Sequence, residues 1–274
     1  MTDTEETENP EEIIFTRYLY ILDEVRSSLL LSILNRNADE SLFWGYELYY
    51  SGYTNEVIQF VFRIYNELYQ SLNPNLQSFI EKQIELWRSN NDETVLGTLI
   101  YNLLHRKYCV SQFLENYSKQ YKNLDRKSLG SQKDRKFYIL LEEKDIAKYK
   151  TPDTIRPGEM LKTVSVYTTH KYMASIFWHI ELAHEELIEK YQTNWLYHAS
   201  FSKIWKDRIA QYDGYVDESS KNVVFTGDNE EEFMNKYNYE PDEQSMDVTI
   251  KHIGNGEEKQ WNWEIFYNKY FIEP

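Results

Sequence analysis

His179 and His184 flank the tetrapeptide Ile-Glu-Leu-Ala and run into Glu185 and Glu186, a collection of imidazoles and carboxylates that invites a metal reading. Two histidines share one helical face when they are four apart; these are five apart, which turns one away from the other by roughly 140°. Glu181 and His184 form one Glu-x-x-His pair. A di-iron bundle takes two such pairs and two further carboxylates, and the sequence offers no second pair. The expectation is therefore a helix with Phe177, Trp178 and Leu182 inward and Glu181, Glu185, Glu186 and Glu189 in water, without metal or other cofactor. Cys109, with His105 one turn before it and Arg106 and Lys107 nearby, has the ingredients of an activated thiolate. It lacks an apparent third orienting group, and the bases also suit a helix C-terminus. The nine glycines form no phosphate-cradling loop, and Asp213, Asp217 and Glu218 do not have the alternation of a calcium loop. No residue is assigned a catalytic role, and the chain reads as a non-enzyme.

A chain of 274 residues suffices for one large domain or two modest ones. With 41% hydrophobic and 27% charged residues the balance is globular. The single cysteine excludes an intrachain disulfide and a cysteine-rich zinc site, and fits a reducing compartment. The net charge of −15 is unevenly placed. Residues 1–12 hold six acids and no base, and residues 215–274 hold fourteen acids against five lysines, which leaves the body of the chain balanced. Acidic ends repel phosphate backbones at long range and steer toward basic partners. The N-terminus lacks a signal-peptide core, and apolar runs are too short for a membrane span.

Helical periodicity dominates. Within 12–36, Val25, Leu29 and Ile33 fall four apart, with Asp23 as a cap. Further helices are predicted over 40–51, 56–72, 76–88 and 93–107, with a weaker one from 111 to about 121, broken by Asn73-Pro74-Asn75 and Asn91-Asp92. Short joints make antiparallel neighbours, and a pair spacing near 35 residues is compatible with a HEAT-like layer or an irregular bundle. Residues 137–141, all apolar or aromatic, read as strand or helix. Helices resume near 158, and the pattern over 170–212 breaks at Thr193-Asn194. Tyr215-Val216 against Val223-Val224-Phe225 forms a small hairpin; a short acidic helix, one opened by Pro241, and a closing helix or strap over 260–271 follow. The fold class is mostly α with a small β hairpin near the C-terminus. Its divisions are an acidic disordered tail (1–11), an N-terminal helical layer (12–121), a basic linker and loop (122–156), and a C-terminal helical part with the hairpin (157–274).

Two stretches could meet a partner. Residues 40–53, ESLFWGYELYYSGY, hold seven large apolar or aromatic side chains between Leu42 and Tyr50. A helix apolar nearly all round is usually buried between others, with Gly52 as its left-handed C-terminal cap. The alternative is an aromatic partner-binding surface formed by Trp44, Tyr49, Tyr50 and Tyr53. Residues 119–136 hold seven bases and two acids. As a solvated loop they need no ligand; as an RNA site they would use Lys119, Lys122, Arg126, Lys127, Lys133, Arg135 and Lys136, with Tyr121 or Phe137 to stack on bases.

The strings DEVRSSLLLSILNRNADESLFWGYELYYSGY (23–53), NWLYHASFSKIWKDRI (194–209), YNYEPDEQS (237–245) and WNWEIFYNKY resemble an uncharacterised protein family of giant, nucleocytoplasmic large DNA viruses. These patches span most of the chain, and richness in Lys, Asn, Ile and Tyr fits an AT-rich genome. The family has no settled activity, so the resemblance transfers no catalytic residue. It implies a viral protein acting in the cytoplasm or viral factory of the infected host. The leading expectation is a non-enzymatic scaffold or adaptor for a basic or helical protein partner. The runner-up is an RNA- or ribonucleoprotein-binding adaptor in viral gene expression or translation. Oligomeric state stays open.

Overall fold

The computed structural model describes residues 13–118, 137–150, 152, 155–170, 184–255 and 262–271. The expected acidic tail and the bases of 119–136 lie outside them. The described chain is mostly helical with one two-stranded hairpin near the C-terminus. Its first helices are α1 (Leu22–Leu34), α2 (Ala38–Tyr50), α3 (Thr54–Ile64), α4 (Gln77–Asn90), α5 (Thr94–Leu104), α6 (Ser111–Tyr117) and α7 (Glu143–Ile146). There follow α8 (Pro157–Val164), α9 (His184–Gln192), α10 (Trp195–Ala199), α11 (Lys203–Ala210), the strands β1 (Tyr215–Asp217) and β2 (Asn222–Val224), α12 (Asn229–Tyr237), α13 (Met246–Ile253) and α14 (Trp263–Tyr270). Contacts gather these into two compact units, neither contiguous in sequence. One takes Met1–Glu24, Pro152–Thr169 and Phe177–Glu258; the other takes Val25–Thr151, His170–Ile176 and Lys259–Pro274.

In the unit that begins at Val25, α5 packs against α2, α3 and α4. In a repeat array each layer touches only its neighbours; here helices converge on one member, an irregular bundle. Local chemistry sets the helix ends. Asn37 caps α2, its Oδ1 accepting from the Glu40 N–H. Gly52, at φ 94°, closes α2 as a Schellman motif: its N–H donates to Tyr49 O and the Tyr53 N–H donates to Leu48 O, each at 3.2 Å. The helix predicted over 56–72 is α3 followed by a π turn, Tyr65–Tyr69. The Leu68 carbonyl accepts from the Cys109 N–H at 2.7 Å, and Tyr69 O accepts from the Asn73 side-chain amide at 2.8 Å. Asn91, at φ 54°, ends α4. α14 realises the helical alternative for 260–271 and sets Phe266 beside Phe113, ring centroids 5.5 Å apart.

Two helix-interior glycines explain how closely α2 and α5 meet. A Cβ on Gly45 would stand 2.5 Å from Ile100 Cδ1; one on Gly97 would stand 2.7 Å from the Tyr46 hydroxyl and 2.9 Å from Leu141 Cδ1. Glycine costs helix stability relative to alanine, so the tight approach is what needs it. Gly97→Ala is expected to destabilise the protein by about 1–3 kcal/mol through overpacking, despite alanine's better helix propensity. Urea denaturation of the two proteins checks it, and a more stable variant would refute the close contact.

The other unit is built on aromatic side chains: Trp205, Tyr191, Phe233 and Phe15 are each 0% exposed. Trp205 Nε1 donates to Thr16 O at 3.0 Å, and Phe15 meets Tyr191 edge-on at 6.0 Å. The hairpin has the predicted partners, with Tyr215 opposite Val224 and Val216 opposite Val223. Three boundaries differ from the sequence expectation. The first helix begins at Leu22, one residue before the expected cap Asp23, after residues 15–21 form a tight turn with Leu19 at φ 61° and the Thr16 N–H bonded to Tyr20 O. After Thr193-Asn194 the chain forms two helices, because Ser200 Oγ bonds Tyr197 O at 2.6 Å and Ser202 opens a new helix. The helix expected from Pro241 starts at Met246. Gln244 Nε2 donates to the carbonyls of Gly158, Tyr239 and Glu240, which holds the preceding residues as a turn.

Candidate functional site

Residues 137–141, expected as strand or helix, are neither. They form an extended strap held by side chains of Thr98 and Asn102 on α5 and of Arg106, two residues past its end. Thr98, Asn102 and Arg106 recur every four residues, a rise of about 6 Å along a helix. Alternate residues of an extended chain are about 6.7 Å apart. The two periods match closely enough for each polar side chain to take one alternate residue. Arg106 Nη2 donates to Phe137 O at 3.1 Å. Asn102 Nδ2 donates to Ile139 O at 2.7 Å while its Oδ1 accepts from the Ile139 N–H at 3.2 Å, as a neighbouring strand would. Thr98 Oγ1 accepts from the Leu141 N–H at 3.0 Å. The strap thus runs antiparallel to α5. Arg106, itself buried, is steadied by the Asn102 carbonyl (2.9 Å) and by Asn102 Oδ1 (3.2 Å).

Side chains fix the strap further. Tyr138 stacks on Phe79 with centroids 4.2 Å apart and planes 3° apart, and its hydroxyl donates to Asn75 O. Phe137 and Leu140 project into solvent, 53% and 64% exposed. Beyond the strap, Ile146 is buried and Tyr149 stacks on Tyr46 at 5.5 Å. Tyr149 also donates to Asp39 Oδ1 at 2.8 Å, and Lys148 and Lys150 pair with Asp39 and Glu93. Replacing Asn102 by Ala removes both bonds to Ile139 and one acceptor of Arg106. A loss of about 1–3 kcal/mol is expected, together with faster limited proteolysis within 137–141. Unchanged cleavage would mean that Asn102 does not hold the strap.

The aromatic residues proposed as a partner surface are placed differently. Trp44 is 0% exposed, with Nε1 donating to Glu40 Oε1 at 3.2 Å, so it has no surface to offer a partner. Tyr49 is buried and its hydroxyl accepts from Trp87 Nε1. Tyr50 is half-buried and donates to Glu93 Oε2 at 2.6 Å. Tyr53 is half-buried under Arg26. Stretch 40–53 is a core helix, and its apolar residues serve packing. The seven bases of the RNA alternative lie outside the described residues, as do His179 and Glu181. Cys109 sits past the end of α5, its Sγ 3.5 Å from Ser111 Oγ, while the His105 ring leans on Tyr101. Among the described residues no group of three or more His, Cys, Asp or Glu side chains is placed to hold a metal.

Two histidine arrangements were not legible in the sequence. His170 Nε2 meets Glu40 Oε1 at 2.7 Å. Burial pushes the Glu40 carboxyl up, but bonds from His170, Trp44 and Asn37 outweigh it and leave it below its ordinary value. Ser165 Oγ lies 3.0 Å from His252 Nε2. At His252 Nδ1 stands the Val248 carbonyl, 2.9 Å away, where a hydrolytic triad would have a carboxylate. Ser165 and His252 are 3% and 0% exposed, so neither presents a surface to a substrate. No protein-family model, no curated protein and no solved structure matches the chain. The site is therefore read from its own geometry. Among the described residues no helix is long and apolar enough to cross a membrane.

Proposed function

We propose that the protein is a non-enzymatic interaction adaptor or scaffold and that the strap over 137–141 is where it meets a protein partner. The observation that carries this reading is a fixed extended segment with Phe137 and Leu140 directed into water. A rigid segment with exposed apolar side chains binds at lower ordering cost than a flexible one. The family resemblance supports a role for a large DNA virus in the cytoplasm of the infected cell. Affinity purification of the tagged protein from infected cells, with and without RNase, tests the reading. Partners are expected to survive RNase and to be lost from a Phe137→Ser/Leu140→Ser variant with an unchanged melting curve. Partners indifferent to that variant would overturn it.

One observation favours an RNA-binding role as a second reading. Phe137, an aromatic side chain more than half exposed, directly follows Lys136, the pairing of ring and base that single-stranded RNA sites use. Its signature would be partners lost on RNase treatment, and RNA affinity that falls steeply with salt and with alanine at the seven bases of 119–136.

A further inference from the structure

Arg36 occupies a backbone position that favours glycine. Helix α1 ends in a Schellman motif: the Asn37 N–H donates to Ser32 O and the Arg36 N–H to Ile33 O, each at 3.0 Å, with Arg36 at φ 58°. A side chain in the left-handed region costs stability that glycine avoids. Arg36 is exposed, and its guanidinium has no carboxylate partner among the described residues. Its side chain makes one hydrogen bond among them, from Nη2 to Arg106 O at 3.4 Å.

That bond brings Arg36 to the segment that follows α5, where two tyrosines meet. Asn73 Nδ2 donates to Tyr69 O and to Lys107 O, each at 2.8 Å, which fixes the π turn beside this segment. The rings of Tyr69 and Tyr108 lie 5.7 Å apart. Tyr69 is 0% exposed, and its hydroxyl has no hydrogen-bond partner among the described residues. The hydroxyl of Tyr108, itself buried, has none there either. An unpaired hydroxyl in an interior costs free energy. The Arg36 charge reaches both groups: burial pushes the two hydroxyls up, and the guanidinium acts against it. Tyr270 borders the group, its hydroxyl donating to Asn35 Oδ1 at 3.0 Å. The Glu40 carboxylate, whose charge reaches Tyr270, is engaged by His170, Trp44 and Asn37. All these residues belong to the unit that begins at Val25.

We propose that Arg36, Tyr69 and Tyr108 form a binding site for a small oxyanion, a carboxylate or a phosphate group. A guanidinium meets either with paired N–H donors, and an unpaired tyrosine hydroxyl has a proton to give. The ligand accounts for an arginine where glycine would suit the backbone and for a buried hydroxyl without a partner. It also gives a use to the π turn that carries Tyr69, a distortion frequent at functional sites. The site goes beyond the adaptor reading, and its failure would leave that reading untouched.

Thermal melts of the full chain in Tris-chloride buffer test this, with inorganic phosphate and acetate titrated separately against sodium chloride at matched ionic strength. An anion held by the folded chain stabilises it by mass action. At least one of the two is expected to raise the wild-type melting temperature beyond the chloride control. A rise with phosphate alone marks the ligand as a phosphate group, and a rise with acetate alone as a carboxylate. Arg36→Gly relieves the left-handed position, so that chain is expected to be at least as stable without anion and to gain nothing from either one. Tyr69→Phe keeps the ring and deletes the unpaired hydroxyl. Its anion-free melt should be unchanged or higher, with anion binding weakened by about tenfold. A wild-type melt no more responsive to phosphate and acetate than to chloride overturns the proposal, as does a response that survives in Arg36→Gly. So does a Tyr69→Phe chain markedly less stable without anion, since that hydroxyl would then already serve the fold.

Discussion

Trp44→Ala is expected to lower the stability of the protein by about 3–5 kcal/mol. The indole is 0% exposed, meets Phe43 edge-on at 4.7 Å and donates to the buried Glu40 carboxylate. Truncation loses the apolar contacts, leaves a void in the interior around α2, and removes one of the donors that keep Glu40 charged. Trp44→Phe separates these effects. It retains most of the packing and gives up only the hydrogen bond, so about 1–3 kcal/mol should be lost. Denaturant melts of the three proteins decide the matter. A Trp44→Ala variant as stable as the wild type, but unable to bind a partner, would restore the aromatic-surface reading of 40–53.

Stability is expected to fall steeply as the pH is lowered from 6.5 toward 4.5. Burial pushes the His252 imidazole down to about 3 from an ordinary value near 6.5. The neutral ring has its polar partners at both nitrogens, the Val248 carbonyl and the Tyr191 hydroxyl at Nδ1 and the Ser165 hydroxyl at Nε2. The folded ring thus stays neutral while the unfolded ring takes up a proton below about 6.5. Its contribution is complete above that pH and is lost as the pH falls toward the folded value, at about 1.4 kcal/mol per pH unit. From pH 6.5 to 4.5 His252 alone costs about 2 kcal/mol, the full slope being reached only once the unfolded ring is mostly protonated. Burial pushes His198 down to about 4, with Lys190 and Lys221 adding to it, so it acts in the same direction over this range. The Glu40 carboxyl sits below its ordinary value, so its own loss begins only at more acid pH. Denaturant titrations at stepped pH, with proton uptake on unfolding measured alongside, check this. A flat profile between pH 6.5 and 4.5 would mean that the ring is already protonated in the fold.

How far the sequence could be read varies element by element, for physical reasons. Apolar periodicity revealed the cores of α2, α3, α4 and α5 and the facing partners of the hairpin, because burial on one face leaves a local record. Gly52 was legible as the end of α2 because a left-handed position selects glycine. The π turn after Ile64 was not, since the Leu68 carbonyl within it is satisfied by the N–H of Cys109, distant in the chain. Nor was the strap. Its run of apolar residues has no period, and its backbone partners are side chains of α5 and of Arg106 just past it, some 31 to 43 positions away. A signal did exist: Thr98, Asn102 and Arg106, polar and four apart, run along the mostly apolar α5 and just past its end. Read alone they look like solvent-facing residues, and only a mate for their hydrogen bonds shows otherwise. Segments distant in sequence, such as 13–24 and 152–169, share one compact unit, and composition carries no trace of that association.

The π turn at Tyr65–Tyr69 also bears on which changes of chain length the protein can tolerate. Within α2 or α5, removing one residue swings everything downstream by about 100°, turning core side chains toward water. The π turn holds one residue more than an α-helix requires. Deleting the half-buried Asn66 would let the turn tighten to ordinary helical pitch with Leu68 and Tyr69 left in place, and would forfeit little beyond the Leu68–Cys109 hydrogen bond. Gaps and insertions in this lineage should therefore gather at this turn and avoid the helices on either side.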